Sequence, residues 1–271
     1  MNYRHAFHAG NFADCLKHVL LLWLLRAMAR KEAGFAVLDT HAGAGRYDLS
    51  GTEAERSGEW RQGIGRLLDD TPPALADYLG IVRSLGLYPG SPALTQAVLR
   101  PQDRLICCEL QPEQNAALSR LLRGDKRVAV HLRDGFGALR ALLPPAERRG
   151  LVLMDPAFEN PGEFDRILVA LREGLGRFPA GVFAVWYPVK YRARVRAFHA
   201  AIVESGMRDV VVAELLLRPP NEFEHLGGCG VLVVNPPWRF EEEAAPILAA
   251  LAERLGEPGI TEAVLTRLAA E

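Results

Sequence analysis

Two rhythms of hydrophobic and polar positions alternate along the chain: short unbroken apolar runs, and longer stretches with apolar residues three and four apart. The unbroken runs predict strands buried on both faces, and the spaced stretches predict helices laid against them. Asn11 or Asp14 can cap a first helix reaching about Lys31, with Leu16, Val19, Leu20, Trp23 and Ala27 as its core stripe. Lys17 and His18 fall on the flanking face near its start. Phe35 to Asp39 is the first strand. Asp48 to about Tyr88 predicts an inserted pair of helices, one carrying Glu53, Arg56, Trp60, Ile64 and Leu67, the other Leu75, Leu79, Val82 and Leu85 after Pro72-Pro73. Ser91 then caps a short helix to Leu99, with Pro92 at its first position.

Further strands are expected at Arg104–Cys108, Arg127–Leu132, Leu151–Met154 and Val182–Trp186, the last closed by Tyr187-Pro188. A helix from about Arg192 to Ser205 leads to a sixth strand, Val210–Leu217, and a seventh, Gly230–Val234. The stretch between these two holds Pro219, Pro220 and Gly227-Gly228 and is too short and broken for a helical crossover, so the pair should be antiparallel. Helices from Phe240 and from Thr261 are expected to cover the sheet. Five alternating β/α units closed by such a hairpin follow the plan of class I S-adenosylmethionine-dependent methyltransferases. The expected fold is α/β and Rossmann-like, a seven-stranded sheet with an antiparallel last strand. Residues 1–47 and 89–271 form its methyltransferase domain, and residues 48–88 an inserted helical subdomain.

Composition narrows this reading. With 49% hydrophobic and 24% charged residues, the 271-residue chain can bury a sizeable core and is not disordered. A net charge of −1 argues against a non-specific, charge-driven grip on nucleic acid, though not against a local basic face. Cys15, Cys107, Cys108 and Cys229 show no CxxC spacing and read as small buried hydrophobes in a reducing cytosol. The apolar run Val19–Leu25 is far short of the ~20 residues that span a bilayer, and Asp14 and Arg26 break the pattern of a secretory signal. A cytoplasmic protein without membrane contact is expected. His5 and His8 have HxxH spacing but no third ligand, so no metal is expected.

Acids stand at the carboxyl ends of the strands, where open α/β sheets bind ligands. Leu151-Val152-Leu153-Met154 runs into Asp155-Pro156-Ala157-Phe158. The Asp155 carboxylate and the carbonyl of Asp155 or Pro156 can each accept one hydrogen of an exocyclic amine, and Phe158 offers a stacking face. The plainer alternative is an N-capping Asp155 with Phe158 in the core. Glu109 suits the ribose hydroxyls of an adenosine, or is simply a surface acid, and Asp134-Gly135 ends the third strand. Thr40-His41-Ala42-Gly43-Ala44-Gly45-Arg46 lets the backbone approach a ligand, but lacks the immediate helix of a nicotinamide site. Asn235-Pro236-Pro237-Trp238 matches an amino-methyltransferase consensus better by letter than Asp155–Phe158, but it ends the antiparallel strand instead of the fourth.

The N-terminal block Tyr3-Arg4-His5…His8-Ala9-Gly10-Asn11, Asp14 and Leu16-Lys17-His18 carries a resemblance, together with Asp39-Thr40-His41-Ala42-Gly43-Ala44-Gly45-Arg46-Tyr47, Ala54-Glu55-Arg56, Tyr88-Pro89-Gly90-Ser91-Pro92 and Trp186-Tyr187-Pro188. From Met1 to about Trp238 the chain resembles the RlmJ family of 23S ribosomal RNA adenine-N6 methyltransferases. The resemblance implies S-adenosylmethionine as cofactor, leaving as S-adenosylhomocysteine, with contacts from His18, His41, Ser91, Glu109, Asp134 and Gly135; Gly43 and Asp155 line the same place. It makes Asp155 the catalytic acceptor, with Tyr3, His5 and Lys17 lining the acceptor site beside Pro156 and Phe158. Ala157 departs from the family's usual second proline, which removes rigidity but neither acceptor; Phe158 replaces the common tyrosine and keeps the ring.

The partner so implied is 23S ribosomal RNA, bound by a monomer. Lys190, Arg192, Arg194 and Arg196 are the first candidates for phosphate contacts, with Arg46, Arg56 and Arg61 next. The rival readings are a non-catalytic RNA-binding or ribosome-assembly protein on the same fold, a DNA adenine-N6 methyltransferase, and a nicotinamide oxidoreductase motivated only by the G-x-G turn.

Overall fold

A computed structural model describes residues 4–218 and 226–271. The chain enters through helix α1 (Phe12–Ala29) and drops into strand β1 (Ala36–Asp39). A two-stranded ribbon of β2 (Arg46–Tyr47) and β3 (Tyr88–Pro89) then brackets α2 (Thr52–Ser57), α3 (Ile64–Leu68) and α4 (Ala76–Leu85). After α5 (Ser91–Val98) come β4 (Arg104–Glu109), α6 (Pro112–Leu121), β5 (Val128–Leu132), α7 (Gly135–Leu142), β6 (Gly150–Met154), α8 (Glu163–Arg177), β7 (Val182–Val189) and α9 (Arg192–Glu204). The chain closes with β8 (Val210–Leu216), β9 (Gly228–Val234), α10 (Phe240–Leu255) and β10 (Glu262–Ala269).

The sheet has eight strands in the order β5-β4-β1-β6-β7-β9-β8-β10. From β5 to β7 neighbours pair in parallel, whereas β9 is antiparallel to both β7 and β8. This is the class I methyltransferase arrangement with one strand added beside β8. Chain order reverses between β1 and β6, which lie side by side with Asp39 opposite Leu153. Their carboxyl ends therefore open the crevice expected at a topological switch point.

Strand residues alternate between two cores. Val37, Leu105, Leu151, Leu153 and Val231 face α1, α5 and α10, while Leu38, Val152, Met154, Val185 and Leu232 face α7, α8 and α9. Helix α1 is apolar round most of its surface because it packs against β9, α4, α5 and α10, with Arg26 left exposed. Asn11, not Asp14, caps it, accepting the Asp14 amide at 3.0 Å. Asp14 is thereby free to turn inward. Ile64, Leu67, Leu75, Tyr78 and Leu79 from the segment between β2 and β3 join the α1 side of the core.

Several expectations need correction. The stretch from Thr261 is a strand: β10 pairs antiparallel with β8, so the sheet has eight strands instead of seven. The free edge of β8 outweighs the helical preference of its Glu, Ala, Leu and Arg residues, with Val264 and Leu268 on one face and Leu265 on the other. The fifth strand does not stop at Trp186. It runs through Tyr187-Pro188 to Val189, because past Val185 only β9 pairs with it and a proline is tolerated at an edge. Ser91 caps nothing with its side chain; Gly90 is the cap, and the Ser91 hydroxyl donates to Asp39 at 2.6 Å. The first inserted helix is broken at Gly58, which ends α2 at φ +64°, with a 3₁₀ turn (Glu59–Gln62) before α3. Among the described residues, no helix is long and apolar enough to cross a membrane.

Candidate active site

A cavity of about 970 Å³ opens over the carboxyl ends of β1, β4 and β6. Its walls carry His5, Lys17, His18, His41, Gly43, Ser91, Glu109, Asp134, Gly135, Asp155, Pro156, Phe158 and Lys190, residues scattered over almost two hundred positions of sequence. Tyr3 lies outside the described residues. Arg46, Arg192, Arg194 and Arg196 are not in the wall.

The turn after β1 is shaped to bring backbone up to a ligand. Gly43 has φ +62°, and a Cβ there would lie 2.4 Å from the Tyr47 hydroxyl. The Gly43 amide donates to Glu109 Oε2 at 2.8 Å and the Gln111 amide to Oε1 at 2.7 Å, so the acid ending β4 is aimed along the turn. Gly135 is packed against the same turn: an added Cβ would fall 1.9 Å from the Thr40 carbonyl oxygen. Asp134 caps α7, accepting the Gly137 amide through Oδ2 at 2.7 Å.

Two histidines are held neutral. Burial pushes His41 down to about 4 and His18 down to about 3. The Thr40 hydroxyl donates to the Leu153 carbonyl at 2.9 Å, so it accepts at 2.8 Å from His41 Nδ1, which leaves His41 Nε2 as a bare acceptor. His18 meets the Tyr88 hydroxyl through Nδ1 at 3.0 Å, while its buried Nε2 has no partner among the described residues. A buried imidazole nitrogen left unpaired is unfavourable and marks a place for a polar ligand atom. Asp39 is buried below the turn, and burial pushes its carboxyl up to about 7 against the opposing Ser91 hydrogen bond.

Across the cavity, Lys17 Nζ donates to Asp155 Oδ2 at 2.6 Å and to Asp14 Oδ1 at 2.8 Å. Burial alone would lower the Lys17 pKa, but the two carboxylates outweigh it and hold the ammonium charged. Burial likewise opposes ionisation of Asp14, yet His5 and Lys17 keep it well below the usual carboxylate range. Asp155 Oδ1 has no partner among the described residues. Phe158 adopts φ +51°, uncommon for a non-glycine residue, and its ring meets Phe164 and Trp186 edge-on at 5.1 and 5.8 Å.

Sequence reasoning missed Leu110 and Phe136. Leu110 is 54% exposed at the cavity wall beside Glu109. Phe136 packs between His41 (5.0 Å) and the Arg166 guanidinium (4.6 Å). Both line the cavity wall together with Glu109 and Asp134. The only signal in the sequence was position, each following a strand-end acid by one or two residues.

The expected RNA contacts divide. Lys190 is exposed at the cavity mouth, Arg194 stacks on Tyr191 at 5.2 Å, and Arg196 is exposed on α9. Arg192 is occupied by the buried Glu214 (3.0 Å) and by Glu262 (3.2 Å). Arg46 sits on β2 with its Nε buried and unpaired among the described residues. His5 and His8 face different carboxylates, Asp14 and Glu59, at 3.0 Å each. Asn235 lies at the opposite end of the sheet, with its amide donating to the carbonyls of Pro179 and Gly181 at 2.8 Å, so the Asn-Pro-Pro-Trp segment is remote from the cavity.

Comparison with known proteins identifies relatives of the whole chain. The model of the family described as ribosomal RNA large subunit methyltransferase D, RlmJ, matches residues 32–265. The ribosomal RNA large subunit methyltransferase J of Haemophilus influenzae is 40% identical over 268 residues, covering 96% of this chain and 95% of that protein. That of Escherichia coli is 37% identical over 279 residues, with both chains covered completely. The crystal structure of protein LPL1258 from Legionella pneumophila superposes with a TM-score of 0.88 at 34% identity, over 96% of this chain and 98% of that one.

Proposed function

Since the chain belongs to the RlmJ family of ribosomal RNA large subunit methyltransferases, we propose that it transfers a methyl group from S-adenosylmethionine to N6 of an adenine in 23S ribosomal RNA. The observation that carries this reading is Asp155 in the cavity wall at the switch point, its Oδ2 held by Lys17 and its Oδ1 without a partner among the described residues. The residues fit the cofactor. Glu109 presents a carboxylate for ribose hydroxyls, and Asp134 with the Gly135 amide addresses a purine edge between Leu110 and Phe136. The unpaired His18 Nε2 answers a polar atom of the amino-acid end. Bound S-adenosylmethionine supplies an electrophilic methyl group on a sulfonium that departs as a neutral thioether.

The protein's share is placement and hydrogen bonding. The adenine amine is a poor nucleophile because its lone pair is delocalised into the ring. Asp155 Oδ1 accepts one amine hydrogen and the carbonyl of Pro156 or Asp155 the other, which favours a pyramidal nitrogen with its lone pair toward the methyl group. Lys17 holds Oδ2, so the carboxylate has one orientation, and Asp155 takes up the proton that the amine releases. Phe158 stacks on the base, which must be unpaired or flipped to reach it. In-line placement of this kind offsets about 7–11 kcal/mol of barrier. Lys190, Arg194 and Arg196 carry the RNA backbone past the cavity mouth. The segment 48–88 serves as an inserted helical subdomain beside the RNA path, and the protein acts in the cytoplasm as a monomer.

Incubation with tritiated S-adenosylmethionine and unmodified 23S RNA tests the reading. Label should enter the RNA and digest to N6-methyladenosine. RNA without label, or label in another nucleoside, overturns it.

A further inference from the structure

Asp14 stands in the wall of the same cavity, buried at 3% exposure in the helix that supplies Lys17 and His18, and the function proposed above gives it no role. Its two oxygens face opposite ways. Oδ1 accepts from Lys17 Nζ at 2.8 Å, and Oδ2 accepts from the Gly10 amide and from His5 Nε2, each at 3.0 Å. Lys17 reaches on to Asp155 Oδ2 at 2.6 Å. The pairing with His5 and Lys17 outweighs the desolvation that burial costs this carboxylate. It also has a geometric effect. An ammonium on a flexible four-carbon stem with one ionic partner can swing, whereas one also tied to a carboxylate that the Gly10 amide and His5 hold in place is restrained.

We propose that Asp14 is a positioning residue for methyl transfer. It fixes Lys17 so that Asp155 keeps Oδ2 committed and Oδ1 turned to the base, and it ties His5 and Gly10 to the same anchor. This rests on the function proposed above. It assigns Asp14 no contact with substrate: the residue acts through Lys17.

Asp14→Asn is the discriminating change. Asparagine keeps the shape but has one acceptor oxygen, so either the Gly10 amide or the Lys17 ammonium must face its NH₂ group. The variant should show kcat on 23S RNA lower by about tenfold or more, while S-adenosylhomocysteine binds within about threefold of wild type. Combined with Lys17→Met it should be no slower than Lys17→Met alone, since the two act in series. Wild-type kcat in a folded Asp14→Asn protein overturns the inference, as do losses that multiply in the double variant. A crystal structure of Asp14→Asn with S-adenosylhomocysteine gives a readout without activity. Asp155 should be turned or parted from Lys17, and an unchanged Lys17–Asp155 contact refutes the proposal. If the wild-type protein methylates no RNA, the functional reading fails, while the crystal structure still decides the role of Asp14.

Discussion

Lys17 Nζ and Asp155 Oδ2 lie 2.6 Å apart, although 138 residues separate them in the chain. The contact joins the first turns of α1 to the carboxyl end of β6 across the cavity, and it leaves Asp155 one oxygen with no partner among the described residues. Neither residue would be placed by its own element alone: the helix start would let the lysine reach solvent, and the strand end would let the carboxylate rotate.

Replacing Asp155 by alanine should therefore remove transfer while sparing the nucleoside pocket. A positioned base contributes about 10²–10⁴-fold, so the single-turnover rate on 23S RNA should fall within that range or beyond it. Calorimetry with S-adenosylhomocysteine should show affinity within a few-fold of wild type. Retained turnover would exclude Asp155 as the acceptor.

Gly135→Ala attacks the cavity from its backbone. The new methyl would meet the Thr40 carbonyl oxygen at 1.9 Å, and neither partner is a flexible side-chain end. Relief requires the start of α7 and the turn after β1 to part, and both line the proposed cofactor site. Overpacking of this kind costs about 1–3 kcal/mol. Urea denaturation should show that loss, with weakened S-adenosylhomocysteine binding in the fraction that folds. A variant with wild-type affinity would mean that the turn is more plastic than its packing suggests.

Much of this site was legible in the chain because strands of a parallel sheet are buried on both faces. The inner strands appear as apolar runs, and Glu109 and Asp155 stand out where the runs stop, whereas the edge strand before Asp134 is only partly buried. Other features had no linear signal. Asp14 looked like one of two cap candidates, and only the inward turn of its carboxylate distinguishes it from Asn11. Strand β10 is composed of residues that favour helices, and a neighbour's free edge, invisible in sequence, decides its form. Arg192 stood in a basic run that suggested phosphate binding. The clue against it was Glu214, an acid inside the apolar run of β8 that needs a cation.

Asp39 gives a pH signature. Burial raises its carboxyl to about 7 from an unfolded value near 3.8. Between these values the folded state holds a proton that the unfolded chain has lost, so this group's contribution to stability falls as pH rises from about 4 to 7 and levels off above. Asp39→Asn is close to a copy of the protonated form. Its stability relative to wild type should change little at pH 4 and rise toward pH 8, by on the order of 1.4 kcal/mol per unit across the window. Denaturant titrations of both proteins at several pH values check this. A difference independent of pH would show that Asp39 is ionised throughout.

The basic residues of α9 should separate by role. Glu214 is buried and receives hydrogen bonds from Tyr187 at 2.9 Å and from Arg192 at 3.0 Å. Arg192→Met would strand that carboxylate without its cation, and an unsatisfied buried group costs about 1–3 kcal/mol. The loss should appear as a lower denaturation midpoint, with little change in RNA affinity for the protein that remains folded. Arg196 is exposed on the same helix. Arg196→Ala should leave stability within about 0.5 kcal/mol. If the residue meets a phosphate, RNA binding should weaken and the slope of log affinity against log salt should shrink by about 1. Filter binding over a salt series, beside urea melts of the two variants, separates these outcomes. An Arg192 variant that loses salt dependence without losing stability would reverse the assignment.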